Sequence, residues 1–203
     1  MGNLYVREVS MIKIIAMAAS TRSESYNKKL LNLAVWGARE AGAEVTVVNM
    51  EDFLVPLYED SLERRDGIPR KIIELKELFI ENHGIIFSMP EYNYSIPAAF
   101  KNIIDWLTRG ETYEKSSKCF QYKVCALLSA SSEFHGGIRG LLHLRSVLEN
   151  LNTIVMPEQI CISDVDNAFD ENGLLKNDIY KKSAEKIGAN LVDLTLRIRG
   201  YGD

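Results

Sequence analysis

The sequence is poor in cysteine and has no apolar run long enough to cross a membrane. Its three cysteines, Cys119, Cys125 and Cys161, lack the spacing of zinc sites or disulfide frameworks. Each lies in or beside an apolar segment, so we expect buried free thiols. No apolar stretch reaches the ~18 residues of a membrane span. These absences favour a cytoplasmic protein without disulfide bonds, a metal site or a membrane segment.

The chain also lacks a strong charge of either sign. Lys and Arg number 24 and Asp and Glu 28, which gives a net charge of −4 without a long basic tract. This balance argues against nucleic acid and anionic membranes as partners. The length of 203 residues suits one domain with a full core. Residues 1–11 are poorly patterned and lack a signal-peptide core. We therefore predict a loose extension over 1–11 and a single domain over 12–203.

Two common phosphate-binding motifs are missing. The chain contains neither G-x-x-x-x-G-K-[ST] nor G-x-G-x-x-G. Instead, an apolar run from Ile12 to Ala18 leads through a polar loop into a helical pattern. Hydroxyl, guanidinium and amide donors would lie there beside the free N–H groups of a helix start, from Ser20, Thr21, Arg22, Ser23, Ser25 and Asn27. The loop therefore suits a terminal phosphate monoester, although an ordinary polar helix cap remains the alternative.

Apolar segments alternate with helical periods along the whole chain. We predict strands at 12–18, 45–48, 84–88, 123–129 and 153–156, where Pro157 interrupts the last one. Helices are predicted at 26–41, 70–81, 96–107, from the 135–140 turn to about 151, and at 178–199. Residues 50–69 and 163–176 read as irregular. This alternation predicts an α/β fold, a parallel sheet with helices on both faces.

Three polar or glycine-rich loops follow the first, third and fourth predicted strands, at 19–27, 89–96 and 129–140. In such sheets a ligand binds beyond the carboxyl ends of the strands. The rigid turn between Pro90 and Pro97 could present backbone N–H groups to a flavin edge. Gly136 and Gly137 would allow close backbone approach from the other side. The alternatives are a stiff exposed loop and a plain helix-entry turn. His135 could act as a general acid, but a lone loop histidine is more often a surface or hydrogen-bonding residue. Arg139 could bind a second anion or, equally well, lie on a solvated helix face.

These motifs resemble those of the NADPH-dependent FMN reductase family, which includes quinone, azo-dye and chromate reductases. The family's G-S-x-R-x-x-S-x-N is similar to A-S-T-R-S-E-S-Y-N at 19–27. Its P-E-Y-N-x-S-x-P matches 90–97 at every fixed position, and its G-G-x-R matches 136–139. Two departures are Ala19 in place of glycine and Tyr94 where the family often has a small residue. The resemblance covers about residues 12–195.

The resemblance implies a flavodoxin-like, doubly wound sheet of five parallel strands in the order 2-1-3-4-5. It implies an FMN cofactor, with NADPH or NADH as co-substrate and a quinone, azo compound or similar small molecule as acceptor. The phosphate would be held by Ser20, Arg22, Ser25 and Asn27. The ring would be lined by Pro90, Glu91, Tyr92 and Asn93, with Ser129 and Gly136 opposite. No catalytic side chain is nominated, because the flavin supplies the chemistry.

Self-association as a homodimer or homotetramer is also implied by the resemblance. The helix at 96–107, with Trp106 near its end, is apolar enough to contact another subunit, although core packing explains it equally well. Two other functions remain open from the sequence. One is a flavodoxin-type electron carrier that does not oxidise nucleotides, and the other is a flavin-free binding protein on the same scaffold.

Overall fold

Five parallel strands form one sheet in the computed structural model, which describes residues 11–110 and 117–200. The strands are β1 Lys13–Ala18, β2 Glu44–Asn49, β3 Gly84–Ser88, β4 Val124–Ala130 and β5 Ile154–Ile162. Their order is β2-β1-β3-β4-β5 and each neighbouring pair is parallel. The predicted flavodoxin-like topology is confirmed. The predicted loose extension lies outside the described residues, except for Met11.

Seven α-helices lie within the described residues and cover both faces of the sheet. They are α1 Tyr26–Glu40, α2 Asp60–Asp66, α3 Arg70–Glu81, α4 Ala98–Leu107, α5 Ile138–Asn150, α6 Val165–Ala168 and α7 Asp178–Gly200. One core joins α1 and α7 to the sheet through buried residues such as Leu30 and Leu191. The other core lies under α3, α4 and α5 and includes Phe79 and Phe100. None of the described helices combines the length and apolarity that a membrane span requires.

Three of the element predictions were wrong or incomplete. Residues 50–69 are not wholly irregular, since they contain a 3₁₀ turn at Met50–Phe53 and helix α2. Strand β5 does not stop at Pro157 but continues to Ile162. Its pairing with β4 shifts in register between the residue pair Cys125–Val155 and the residue pair Leu127–Gln159. Because β5 is an edge strand, the missing N–H of a proline can be tolerated there. Residues 163–176 contain α6 and a bridge between Phe169 and Leu175.

The three polar loops leave neighbouring strands at one edge of the sheet. Backbone hydrogen bonds continue past the strand ends, from Ala19 N to Ser88 O at 2.8 Å and from Met89 N to Leu128 O at 2.9 Å. The order β1-β3-β4 therefore starts the loops side by side. This is the carboxyl edge at which open parallel sheets bind their ligands.

Candidate active site

A cavity of about 240 Å³ opens at the carboxyl edge of the sheet, and all three loops contribute to its wall. Seven of the ten predicted site residues line it, namely Ser20, Arg22, Ser25, Asn27, Pro90, Glu91 and Tyr92. Six further residues complete the lining, namely Tyr26, Ala130, Ser131, Ser132, Val165 and Asp166. The structure thus brings together most of the predicted residues in one place.

The first loop offers hydrogen-bond donors that the fold itself does not use. Ser25 is the N-cap residue of α1, yet its hydroxyl makes no capping bond to the helix. No acidic side chain lies in the first turn of α1. Among the described residues, no carboxylate forms an ion pair with the Arg22 guanidinium. A helix start with an unused hydroxyl and an unpaired arginine is suited to bind an anion.

Asn27 ties the three loops together from beneath the cavity. The residue is only 3% exposed. Its Nδ2 donates to Ala130 O at 2.8 Å, and its Oδ1 accepts from Ser88 Oγ and from Ala130 N, both at 3.0 Å. One amide N–H remains for a ligand, because the NH₂ group has two donors. These bonds fix the start of α1 to the ends of β3 and β4.

The second loop is a two-residue hairpin turn. Tyr92 and Ser95 exchange two backbone hydrogen bonds, at 3.1 and 3.0 Å. Asn93 and Tyr94 between them have φ values of +49° and +61°, as in a type I′ turn. Asn93 occupies the exposed tip and does not line the cavity. The Arg139 guanidinium lies 4.5 Å from the Tyr94 ring centroid, which ties the turn to α5.

Glu91 links the same loop to the start of α5. Its Oε2 accepts a hydrogen bond from Gly140 N at 2.7 Å. Gly140 is the third residue of α5, and the N-cap residue Gly137 has no side chain that could cap the helix. Glu91 therefore supplies the cap from another loop, where a carboxylate also complements the helix dipole. The same side chain lines the cavity.

Ser129 and Gly136 lie behind the third wall rather than on it. Ser129 is fully buried, and its Oγ is the one buried side-chain polar atom in the described part of the chain without a hydrogen-bond partner. Gly137, with φ of +87°, covers it so closely that a Cβ there would lie 2.0 Å from Ser129 Oγ. Gly136 packs against the end of β5 instead. Ser131 and Ser132 form the cavity surface at this loop.

Asp166 and Tyr26 are cavity residues that the sequence interpretation did not include. The Tyr26 hydroxyl donates to Asp166 Oδ1 at 3.1 Å, and this hydrogen bond raises the pKa of Tyr26. The Tyr26 ring also stacks on Phe169, with 5.1 Å between centroids. Tyr26 belongs to the first predicted loop and could have been included. Asp166 could not, because its place depends on how the chain folds back after β5.

The sequence profile of a family described as NADPH-dependent FMN reductase matches residues 12–167, from β1 through the cavity residue Asp166. The chain belongs to this family. An NAD(P)H-dependent FMN reductase from Pseudomonas aeruginosa is 32% identical over 189 residues, 93% of this chain and 96% of that protein. A quinone reductase from Escherichia coli is 26% identical over 198 residues, 95% of this chain and 94% of that protein.

The comparison with solved structures agrees with the observed fold. A flavoenzyme NAD(P)H:(acceptor) oxidoreductase from Paracoccus denitrificans superimposes with a TM-score of 0.74 at 23% identity, over 92% of this chain and 98% of that chain. At this identity the likeness supports the fold alone. The residues present also fit FMN. The unused Ser25 hydroxyl and the unpaired Arg22 suit its phosphate, and Ser129 keeps an unpaired hydroxyl behind the glycine turn.

Proposed function

We propose that this FMN reductase family member binds FMN in the cavity at the carboxyl edge and uses NADPH or NADH to reduce a small acceptor such as a quinone. Family membership supports an NAD(P)H-dependent flavin oxidoreductase over a flavodoxin-type carrier. The observation that carries the site assignment is the convergence of three loops around donors that the fold leaves unused.

We assign the phosphate to the first loop. Ser20 and Ser25 would donate hydroxyl groups, and Arg22 would supply a planar pair of charged donors. The Ser20 hydroxyl accepts from Arg22 N at 3.4 Å, which leaves its own hydrogen available. Asn27 is assigned to the same group through its remaining N–H. Its larger contribution in this proposal is to hold the loops in place.

We assign the ring to the mouth of the cavity. The volume of about 240 Å³ is below the ~300 Å³ at which pockets begin to enclose larger ligands, so the cavity would enclose mainly the phosphate end. The ring would lie along Pro90, Glu91 and Tyr92, with Asn93 at the tip of the turn. Tyr92 is 53% exposed and offers an aromatic surface there. Ser129 and Gly136 would support the opposite wall.

The protein's own contribution to the reaction is position and electrostatics. Bound FMN supplies the redox chemistry, because it can take a hydride from nicotinamide and deliver electrons to an acceptor. The type I′ turn holds its backbone N–H groups rigidly, since Pro90 and Pro97 bracket it. Glu91 keeps that turn attached to α5. No side chain is required to become covalently modified.

Anaerobic rapid mixing of FMN-loaded protein with NADPH, and separately with NADH, tests this proposal. We expect the visible flavin absorption band to bleach at a rate that depends on nucleotide concentration. Added quinone should restore the band. Protein that takes up FMN but is not bleached by either nucleotide would be a carrier of the flavodoxin type. Protein that takes up no FMN would contradict the cofactor assignment.

We also propose a cytoplasmic location and a homodimeric or homotetrameric assembly. The three unpaired thiols support a reducing compartment, since Cys119 and Cys125 are buried and Cys161 is partly buried. The apolar residues of α4 pack in the core of their own chain, which was the alternative interpretation of this helix, so they do not support a subunit contact. Trp106 is fully buried in its own chain, and its Nε1 donates to Pro56 O at 2.9 Å. Light scattering that finds only 23 kDa particles would contradict the assembly.

A further inference from the structure

A second cavity, of about 210 Å³, lies at the opposite edge of the sheet from the candidate active site. It is bounded by the end of α3, the amino ends of β3 and β4, and the last turn of α7. Its polar lining consists of Asn82, His83, Gln121, Tyr122, Lys123, Thr195 and Arg199. No acidic residue is among the described residues that line it.

Lys123 is held at the wall of this cavity by the end of α3. The residue is 9% exposed, and its Nζ donates to the carbonyl oxygens of Asn82 and Ile80. These carbonyls belong to a helix C-terminus, which favours a cation. The ammonium group has three N–H donors, so one remains for another partner. Burial lowers the pKa of Lys123 to about 8.

His83 presents a second donor whose tautomer is fixed by the backbone. Its Nδ1 accepts a hydrogen bond from Lys13 N at 3.1 Å. The neutral ring therefore carries its proton on Nε2. Burial lowers the pKa of His83, and the charges of Arg199, Lys123 and Lys13 lower it further. Each of these three side chains is a cation.

Arg199 completes the set from the last turn of α7. Within the described part of the chain its guanidinium forms neither a hydrogen bond nor an ion pair. An exposed arginine is normally solvated, but this one lines the same cavity as Lys123 and His83. The described residues of the cavity wall include no carboxylate that would offset the repulsion among these groups.

We propose that this cavity binds a phosphate-type oxyanion, either inorganic phosphate or the terminal phosphate of a small sugar ester. Arginine and lysine provide a planar fork and a point charge for such an anion. The His83 Nε2–H and the Gln121 amide add neutral donors at the same wall. At about 210 Å³, the cavity would enclose only a small anionic group, because larger ligands need ~300 Å³ or more to be enclosed. The competing explanation is that Lys123 and Arg199 only stabilise the C-terminal ends of helices α3 and α7.

Nuclear magnetic resonance of the histidine rings tests the site directly, because the chain has only three histidines. The FMN-saturated full chain would be titrated with inorganic phosphate, and separately with ribose 5-phosphate, at constant ionic strength set by chloride. We expect the His83 signals to shift saturably while those of His135 and His143 stay in place. No histidine lines the candidate active site, so this readout does not depend on the flavin proposal.

Two arginine variants on α7 provide the matched comparison. Arg199→Gln should weaken the phosphate response at His83 roughly tenfold, as loss of a charged hydrogen bond does. Arg197→Gln removes an exposed arginine that pairs with Asp193, and it should leave the response unchanged. A response to phosphate alone identifies a free-anion site, and tighter binding of ribose 5-phosphate identifies an ester. No movement at His83, or equal binding by Arg199→Gln and wild type, would overturn the proposal.

Discussion

At the residue scale, Asn27 holds the three loops of the candidate active site together. Its amide makes three hydrogen bonds to groups at the ends of β3 and β4. Because the net value of such a bond is about 1 kcal/mol, Asn27→Ala should lower the free energy of unfolding by roughly 2–3 kcal/mol. Urea denaturation of the flavin-free protein measures this change.

The flavin-free measurement also separates two roles of Asn27. A residue that served only as a phosphate ligand would leave the stability of the flavin-free protein unchanged and would reduce FMN affinity alone. Ser23→Ala is the matched control, because Ser23 is an exposed polar residue of the same loop that does not line the cavity. This variant should change neither the stability of the flavin-free protein nor its affinity for FMN. Equal unfolding of Asn27→Ala and wild type would remove the positioning role.

Asp166 brings a negative charge to the cavity that we assign to a phosphate. Its carboxylate lies in the lining and accepts the Tyr26 hydroxyl. Asp166→Asn keeps an acceptor for Tyr26 and removes the charge, so FMN should bind roughly threefold more tightly at low salt. Flavin fluorescence titration measures the affinity. Glu171→Gln removes an equal charge outside the lining and should have no such effect. Unchanged affinity of Asp166→Asn at low salt would argue against a phosphate here.

At the scale of an element, the turn of the second loop holds Tyr94 in a backbone conformation that its side chain disfavours. Tyr94 has φ of +61°, which bulky side chains rarely adopt. Asparagine tolerates this region, but Tyr94→Asn also loses the Arg139 contact, so its free energy of unfolding should stay within about 1 kcal/mol of the wild-type value. Tyr94→Ala keeps the strain and loses the Arg139 contact, so it should be less stable than wild type. Urea unfolding measures the free energy of unfolding of both variants. A Tyr94→Asn protein that is less stable than Tyr94→Ala would contradict the strain argument.

Elements with a clear apolar pattern could be predicted from the sequence. Elements whose bounds depend on their place in the folded chain could not. Strands β1, β3 and β4 are buried on both faces and therefore read as continuous apolar runs. Helix α2 has no buried residue, so its sequence carries no apolar period to detect. Strand β5 passes Pro157 because it lies at the edge of the sheet, which only the strand order reveals.

The same distinction holds for the cavity. Ser20, Arg22 and Ser25 follow a strand and open a helix, a local pattern that the sequence displays. Asp166 reaches the cavity from a segment more than a hundred residues away, through the return of the chain after β5. The carboxyl-edge rule predicts which loops meet. It does not predict which further segment closes over them.

At the scale of the whole molecule, the loops of the cavity leave the three central strands, so a ligand that joins them should stabilise the entire fold. A ligand at 100 times its Kd adds about 2.7 kcal/mol to the free energy of unfolding. FMN should therefore raise the melting temperature in one cooperative transition. Riboflavin has the same ring without the phosphate, so it should raise it much less.

Arg22→Gln connects this whole-molecule response to one predicted contact. If Arg22 holds the phosphate, the variant should lose most of the FMN effect and keep the small riboflavin effect. Arg64→Gln is the control, since Arg64 lies on α2, away from the cavity, and pairs with Asp60. Calorimetry of the flavin-free and flavin-saturated forms gives both quantities. Equal stabilisation of wild type by FMN and riboflavin would mean that the first loop does not bind the phosphate, which would contradict the orientation proposed for the cofactor.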